Sequence, residues 1–250
     1  MDYNGLRSNY WQNQGERIAA LRSKIVARSA ALPGRVVPDD SDLAIGKGRR
    51  LHLAVMFLDI SGFSNRPAGT FDEQEMLLRV LNLFFSEMIK IAENYGGTVE
   101  KNTGDGLMAY FEDGRGDPPE KGTKRALASA LTMMATNEYL IKPILVATPV
   151  DEIKFRVTID YGPVTIARLG AAQRFNANVA IGATANFASK MLTLAEPGDI
   201  VIGELAMRQL PIDWQILYTE LLTTQTGWTY KADSRPYPAY RYTGRWSRLV

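Results

Sequence analysis

The feature that most constrains the fold of this chain is a nearly continuous apolar run, LHLAVMFLDI, at residues 51–60. Runs of this kind are typical of strands buried on both faces or of short helices, and Gly62 soon afterwards favours a strand. The one acidic residue of the run, Asp59, is therefore expected at the end of a buried strand.

Apolar periodicity predicts the elements that follow this strand. An amphipathic stripe over residues 71–95 indicates a long helix that ends at Gly96-Gly97. Residues 98–113 are typical of two strands joined by a tight turn, in which Gly104 and Gly106 supply the positive φ angles of a hairpin. The later expected elements are a helix at 121–142 ended before Pro143, hairpin strands at 153–160 and 164–170 across Gly162-Pro163, a strand, a helix (183–194) and a second strand within 177–203, and a β-rich tail after Ile212.

This order of elements indicates an α+β fold in which helices cover one face of a sheet. Before the first strand, residues 9–31 have helical periodicity, and residues 32–50 are rich in Pro, Gly and charge, which is typical of a connector. We therefore expect an N-terminal helix and connector at 1–50 and a catalytic domain at 51–250.

Composition limits the available chemistry. The 250 residues include no Cys and a single His, His52. These counts exclude disulfide scaffolds, Cys-ligated zinc, thiol nucleophiles and His-clustered metal sites, and they favour carboxylates with hard metals such as Mg²⁺. A net charge of +2 gives no argument for nucleic-acid binding. Because no apolar window approaches 18 residues and no signal peptide is evident, we expect a cytoplasmic protein without a membrane span.

Two carboxylates are the strongest candidates for chemistry. Asp59 ends the apolar strand and Asp105 lies at the hairpin tip, so both side chains converge if the two strands are sheet neighbours. Paired Asp residues at strand ends hold two Mg²⁺ for phosphoryl or nucleotidyl transfer. The loop containing Gly62, Phe63 and Ser64 offers backbone amides for phosphate oxygens. The alternative is that both acids are ordinary turn residues.

Three segments together resemble class III nucleotidyl cyclases. FLDISGF at 57–63 is similar to the family's first metal motif, KNTGD at 101–105 to its K-x-x-G-D motif, and IGATANFASK at 181–190 to its I-G-x-x-V-N-x-A-x-R motif. The match covers roughly residues 51–205, in the family's order. The resemblance implies a cyclase homology domain with a central, mostly antiparallel sheet, flanking helices and a ferredoxin-like βαββαβ core.

The resemblance also implies an active site shared by two subunits of a head-to-tail homodimer. Asp59 and Asp105, with the carbonyl of Ile60, would bind two Mg²⁺ or Mn²⁺ ions. Asn186 of the other subunit would orient the ribose, while the ribose 3′-hydroxyl attacks the α-phosphorus of the nucleoside triphosphate. Lys190 stands where the family has a transition-state Arg, and it offers a point charge rather than a bidentate fork.

Other cations are alternatives to Lys190 for the transition-state role. They are Arg168, Arg174 and Lys231. Because Lys190 replaces the family's Arg, a further alternative is a domain that binds a nucleotide but has lost catalysis. A palm-type polymerase or a diguanylate cyclase would use the same two-metal mechanism. The absence of a GGDEF-like hairpin from the sequence argues against this alternative.

The segment that reads the base also departs from the family. Lys101 is retained, but Val179 lies three residues before Gly182, where adenylyl cyclases have Asp or Thr. Val cannot accept a hydrogen bond from an exocyclic amine, whereas Lys101 can donate to a uracil carbonyl, with Asn178 as an amide reader. The chain thus resembles the stand-alone bacterial pyrimidine cyclases of antiphage (Pycsar) systems. We expect UTP as the substrate, ahead of CTP and ATP.

Overall fold

The computed structural model describes residues 8–28, 48–102, 104–114, 117–146, 151–172 and 175–247. Its helices and strands are, in chain order, α1 (Ser8–Arg28), β1 (Gly48–Ile60), α2 (Phe71–Asn94), β2 (Thr98–Asn102), β3 (Gly106–Glu112), α3 (Gly122–Thr136), α4 (Lys142–Val146), β4 (Phe155–Ala172), β5 (Phe175–Ile181), α5 (Ala183–Met191), β6 (Ile200–Gly203), α6 (Glu204–Met207), α7 (Ile212–Tyr218), β7 (Thr219–Thr223) and β8 (Ala239–Tyr242). None of these helices is long and apolar enough to cross a membrane.

The strands form one mixed sheet in the order β2-β3-β1-β4-β6-β8-β7, and β5 pairs with β4 outside this path. Strand β1 is antiparallel to both β3 and β4, and β4 is parallel to β6. The segment β1-α2-β2-β3-α3-β4, with β1 and β3 at the centre, has the ferredoxin-like βαββαβ arrangement. This confirms the expected fold class, with a mostly antiparallel sheet and flanking helices.

Strand β1 is buried on both faces, which explains its continuous apolar sequence. Ala54, Met56 and Leu58 pack in the main core with α2 and α3, while Leu53 and Val55 pack in a second cluster with α5. The expectation that helices cover only one face was therefore wrong. Because α5 covers the opposite face, β1 must present apolar side chains in both directions.

Both ends of α2 are set by residues next to them in the sequence. Thr70 and Glu73 form a reciprocal capping box, with Thr70 N–H donating to Glu73 Oε2 (2.9 Å) and Glu73 N–H to Thr70 Oγ1 (3.2 Å). After the helix, Gly96 adopts a φ of 72°, a left-handed conformation that is less strained for glycine than for any other residue. The helix therefore spans nearly the predicted range.

Strand β4 corrects the predicted hairpin across Gly162-Pro163. It is one continuous strand of 18 residues that pairs with β1 from Gly48↔Ala167 to Ile60↔Phe155. Gly162 allows close approach of α5 instead of a turn, since a Cβ there would lie 2.7 Å from Thr184 Oγ1. At Pro163 the edge facing β6 and β5 is unpaired within the described strands, so its missing N–H costs nothing there.

Three other boundaries differ from prediction. The helical segment that begins with α3 does not end before Pro143: α3 ends at Thr136, the π turn Asn137–Ile141 follows, and α4 begins at Lys142, one residue before the proline. The tail after Ile212 contains α7 as well as β7 and β8. Strand β1 begins at Gly48, earlier than expected. Most of the predicted connector, residues 29–47, lies outside the described residues.

Candidate active site

Asp59 and Asp105 lie at the same end of the sheet. Strands β1 and β3 are antiparallel neighbours in which Asp59 is opposite Gly106, the residue after Asp105. The Ile60 N–H donates to the Asp105 carbonyl at 2.8 Å, which ties the two strand ends together. The long-range pairing therefore brings together two acids that are 46 positions apart in the sequence.

The loop after β1 is held by main-chain hydrogen bonds. The Ser61 N–H donates to the Lys154 carbonyl at 2.8 Å, at the start of β4. Gly62 has φ 68° and ψ 21°, a left-handed conformation that favours glycine, and it precedes the 3-10 turn Phe63–Asn65. Phe63 packs against the main core, and Ser64 is exposed. A packed aromatic side chain thus anchors a loop whose tip faces solvent.

Arg156 on β4 is a site residue that the sequence analysis missed. It lies directly opposite Asp59 and donates from Nε and Nη2 to Asp59 Oδ2 at 3.0 and 2.9 Å. Its Nη1 donates to the Ala195 carbonyl at 3.1 Å. The available signal was its strand position between the core residues Phe155 and Val157, which directs a cation to the opposite face, where Asp59 lies.

Asn186 and Lys190 lie one turn apart on α5, and both are exposed. Helix α5 is fixed on β4 by a hydrogen bond from Thr158 Oγ1 to the Ala188 carbonyl at 2.6 Å. Within the described ranges, no hydrogen bond or ion pair joins Asn186 or Lys190 to Asp59 or Asp105. The structure therefore gives no direct contact between these two groups of predicted site residues within the described part of one chain.

The predicted base-reading positions lie on β2 and β5. Lys101 is opposite Met108, Val179 is opposite Ala167, and Asn178 is also on β5; the side chains of Lys101, Asn178 and Val179 lie outside the described part of the structure. A hydrogen bond from the Ala180 N–H to Glu100 Oε1, at 3.4 Å, joins the end of β5 to β2. The residues next to two of the predicted base-reading positions, Glu100 beside Lys101 and Ala180 beside Val179, are thus in contact within one chain.

The structure adds no support for the three cations considered as alternatives to Lys190. Arg174 and the side chain of Arg168 lie outside the described residues, and Lys231 is exposed in a turn. Aromatic side chains of the C-terminal part pack inside the protein, since Tyr237 and Tyr242 are both buried and the Trp228 ring lies 4.9 Å from that of Phe187.

A buried acid lies close to α5. Asp160 on β4 is 1% exposed and accepts a hydrogen bond from Tyr237 Oη at 2.6 Å. Burial raises the pKa of Asp160 to about 7. The Tyr237 ring lies 5.5 Å from that of Phe187, the residue after Asn186. Two aromatic rings, those of Tyr237 and Phe187, therefore lie between Asp160 and the start of α5.

The donor set at the sheet end fits a hard divalent metal. Asp59, Asp105 and the Ile60 carbonyl offer oxygen ligands, which Mg²⁺ and Mn²⁺ prefer. In the described ranges, no group of three or more His, Asp or Glu side chains is arranged to hold a metal. Mg²⁺ typically needs only one or two carboxylates when substrate phosphates and water complete its coordination. The two acids therefore suit a metal that arrives with a phosphorylated ligand.

Comparison with known proteins identifies the family. The model for the adenylate and guanylate cyclase catalytic domain matches residues 47–225. An adenylate cyclase of Anabaena cylindrica is 27% identical over 174 residues, which are 68% of this chain and 33% of that protein. An uncharacterised protein of Mycobacterium tuberculosis is 29% identical over 199 residues, 77% of this chain and 31% of that one.

Solved structures agree with this match. The adenylyl cyclase CyaB from P. aeruginosa has a TM-score of 0.61 and 27% identity, covering 82% of this chain and 100% of its own. The guanylyl cyclase Cya2, with a TM-score of 0.63 and 19% identity, covers 79% of this chain and 94% of its own, and shows the shared fold. The chain spans about a third of the length of the curated relatives it matches. It belongs to the adenylate and guanylate cyclase catalytic domain family.

Proposed function

We propose that this protein is a two-metal nucleotidyl cyclase that converts a nucleoside triphosphate, preferentially UTP, to the 3′,5′-cyclic nucleotide and pyrophosphate. The observation that carries the proposal is the convergence of Asp59 and Asp105 at one sheet end in a member of the cyclase family. Strand register places Asp59 opposite Gly106, and the hydrogen bond from the Ile60 N–H to the Asp105 carbonyl holds Asp105 beside it.

Asp59, Asp105 and the Ile60 carbonyl would hold two Mg²⁺ or Mn²⁺ ions. Such ions, when bound, neutralise the triphosphate and acidify the ribose 3′-hydroxyl. The 3′-hydroxyl would lose its proton to solvent, and its oxygen would form a bond to the α-phosphorus. The bond between that phosphorus and the α,β-bridging oxygen would break, and pyrophosphate would leave. Arg156, which is paired with Asp59, would hold that carboxylate in position at the sheet end.

The remaining contacts would come from the loop and from a second subunit. Backbone amides of Gly62, Phe63 and Ser64 would bind phosphate oxygens. In a head-to-tail homodimer, the partner's α5 would supply Asn186 to orient the ribose and Lys190 to stabilise charge on the transferring phosphoryl group. The exposure of both side chains leaves them available to a partner subunit and supports a shared site.

Base preference would be set by Lys101, Asn178 and Val179. Lys101 donates to a carbonyl oxygen, which uracil offers, and Val179 leaves the exocyclic amine of adenine or cytosine without an acceptor. An unpaired buried polar group costs roughly 1–3 kcal/mol, which is enough to rank UTP above CTP and ATP. The proximity of β2 and β5 through Glu100 and Ala180 supports their acting together.

The biological role follows from the resemblance to pyrimidine cyclases. We propose that the product, cyclic UMP, is a second messenger in antiphage defence in the cytoplasm. The test is to measure cyclic UMP in phage-infected bacteria that express the protein or its Asp105→Asn variant. A rise with the parent protein alone is expected, and equal levels in both strains would contradict the role.

The activity test is incubation of the protein with each of the four triphosphates and Mn²⁺, followed by identification of the products. We expect cyclic UMP as the main product. Cyclic AMP alone would refute the argument from Val179 and leave the cyclase assignment intact. The absence of any cyclic product would refute the assignment.

A catalytically degenerate domain is the second candidate. Lys190 in place of the family's Arg, together with the Arg156 ion pair on Asp59, favours it. Such a domain would bind UTP, measurable by calorimetry, without releasing pyrophosphate.

A further inference from the structure

The sheet ends in a strand whose outer edge is open. Strand β7 pairs with β8 on one side, and no other described strand lies beyond it. At its start, the Tyr218 carbonyl accepts from the Thr243 N–H at 2.8 Å. Because the main-chain groups of an antiparallel strand point alternately to its two sides, those of Thr219 and Leu221 face away from β8. The open edge therefore offers N–H and carbonyl groups with which a further strand can pair.

An exposed apolar surface, formed by Ile216, Leu217 and Leu221, borders this edge. Ile216 and Leu217, at the end of α7, are 73% and 65% exposed, and Leu221 is 57% exposed. Leu221 lies opposite Tyr240 of β8, which packs against the main core, and α7 contributes Trp214 to that same core. Leu221 and α7 therefore lie on the same face of the sheet. Exposed apolar side chains beside an unpaired strand are typical of an association site.

Strand β7 lacks the side chains with which proteins usually block an open edge. Its sequence, TELLT, contains neither Lys nor Pro, which are the residues most often used for this purpose. Its one charged residue is Glu220. Because side chains alternate along a strand, Glu220 faces the opposite side of the sheet from Leu221. The strand therefore places no charge on the face that carries the apolar surface.

The edge of β7 is complementary to itself in one antiparallel register. A twofold axis at Leu221 places this residue opposite the partner subunit's Leu221, and the two exchange their outward N–H and carbonyl groups. Glu220 then lies opposite the partner's Leu222, whereas an axis at Glu220 would place two carboxylates opposite each other. The ladder with β8 is regular from Thr219 to Leu221 and shifts before Thr223. The pairing is therefore short, and the apolar surface supplies most of the attraction.

We propose that the open edge of β7 and the apolar surface beside it form an interface between two copies of this chain. The contact is isologous, because both copies use the same strand. In the sheet, β7 is separated from β1 and Asp59 by β4, β6 and β8, so the interface is distinct from the proposed catalytic site. Together with the proposed catalytic dimer, it would give each copy two different twofold contacts and join the chains into tetramers or longer assemblies.

Cysteine cross-linking tests this contact, since the chain contains no Cys of its own. Leu221→Cys places two thiols in an antiparallel pair whose Cα atoms lie about 5.5 Å apart, within the range of a disulfide. Mild oxidation of the full chain should convert most of this variant to a covalent dimer, seen on a non-reducing gel. Val146→Cys, at a residue of α4 that is 74% exposed, is the control and should stay mostly uncross-linked.

Light scattering measures the same contact without a cross-link. Leu221→Lys places two like charges opposite each other at the twofold axis, so its mass should be at most about half that of the parent protein at the same high micromolar concentration. Val146→Lys should keep the parent mass. The comparison needs no turnover and does not depend on whether the catalytic dimer also forms, so it is separate from the test of the proposed function.

Two results would overturn the proposal. One is a parent mass that Leu221→Lys leaves unchanged, which would mean that the edge stays free or binds something other than a second copy. The other is a rate of covalent dimer formation in Leu221→Cys no higher than in Val146→Cys, which would mean that the two Leu221 positions meet only by random collision.

Discussion

Arg156 and Asp59 face each other across β4 and β1, and two guanidinium nitrogens lie 3.0 and 2.9 Å from one carboxylate oxygen. The side chains remain 30% and 22% exposed, so the pair is accessible to solvent and to a competing cation. The carboxylate of Asp59 is therefore paired with a cation of its own chain.

The first prediction concerns this carboxylate. Asp59→Asn keeps a side chain that accepts from Arg156 but removes the charge that attracts a metal. We expect turnover to fall more than about a hundredfold, because even changes beyond the direct metal ligands cost 10–100-fold. Steady-state product formation with Mn²⁺ and UTP measures it. Asp233→Asn, at an exposed acid that contacts Arg235, is the control and should keep full activity.

A shared active site predicts complementation between two inactive variants. Asp59→Asn and Asn186→Ala impair different half-sites, so a heterodimer would contain one intact site. Mixing equal amounts should restore about a quarter of the parent activity if subunits exchange freely in a twofold dimer. The activity of the mixture, compared with that of each variant alone, gives the readout. A mixture no more active than its components, although exchange is demonstrated, would refute the shared site.

Lys190→Arg should increase turnover. Arg presents two parallel donors to a phosphoryl group, whereas Lys presents a point charge, so we expect a gain of severalfold to about tenfold. The kcat for UTP is the measurement. Lys90→Arg, on the exposed face of α2, is the matched control and should leave kcat unchanged. A fall in kcat for Lys190→Arg would mean that the site is adapted to lysine.

Asp160 predicts a dependence of stability on pH. Its pKa is about 7 in the folded protein and 3.8 as the ordinary value, because burial disfavours the charged form. Between these values the folded state holds a proton that the unfolded state releases. The free energy of unfolding should therefore fall as pH rises from about 4 to about 7.

Asp160→Asn removes this titration. Compared with the variant, the parent protein should lose several degrees of melting temperature between pH 5 and pH 8, measured by circular dichroism. Melting curves that stay parallel for the two proteins across this range would show that Asp160 does not titrate there.

The N-terminal helix is held by a buried ion pair. Glu87 on α2 is fully buried and accepts from Arg17 Nε of α1 at 2.9 Å and from Gln14 at 3.2 Å. Arg17→Leu leaves that carboxylate unpaired, which should cost roughly 3–5 kcal/mol in urea unfolding. The control, Arg79→Leu, breaks an exposed pair with Glu75 and should cost at most about 1 kcal/mol. Similar losses of unfolding free energy in the two variants would show that the Arg17–Glu87 pair contributes no more than an exposed pair.

The sequence by itself determined the local features of this protein. The apolar run predicted β1, the glycines at 96–97 and 104–106 marked the ends of α2 and the hairpin, and three ordered motifs indicated the cyclase fold. These features depend on periodicity, backbone conformation and short spacing, which a single segment carries.

Tertiary structure decided what depends on pairing between distant segments. The passage of β4 through Gly162-Pro163 follows from its neighbours β1 and α5, not from the local turn signal. Arg156 and Asp59 meet although they are 97 positions apart, because strand register sets which side chains face each other. The burial of Asp160 against Tyr237 likewise depends on the tail packing onto the sheet, which no local pattern specifies.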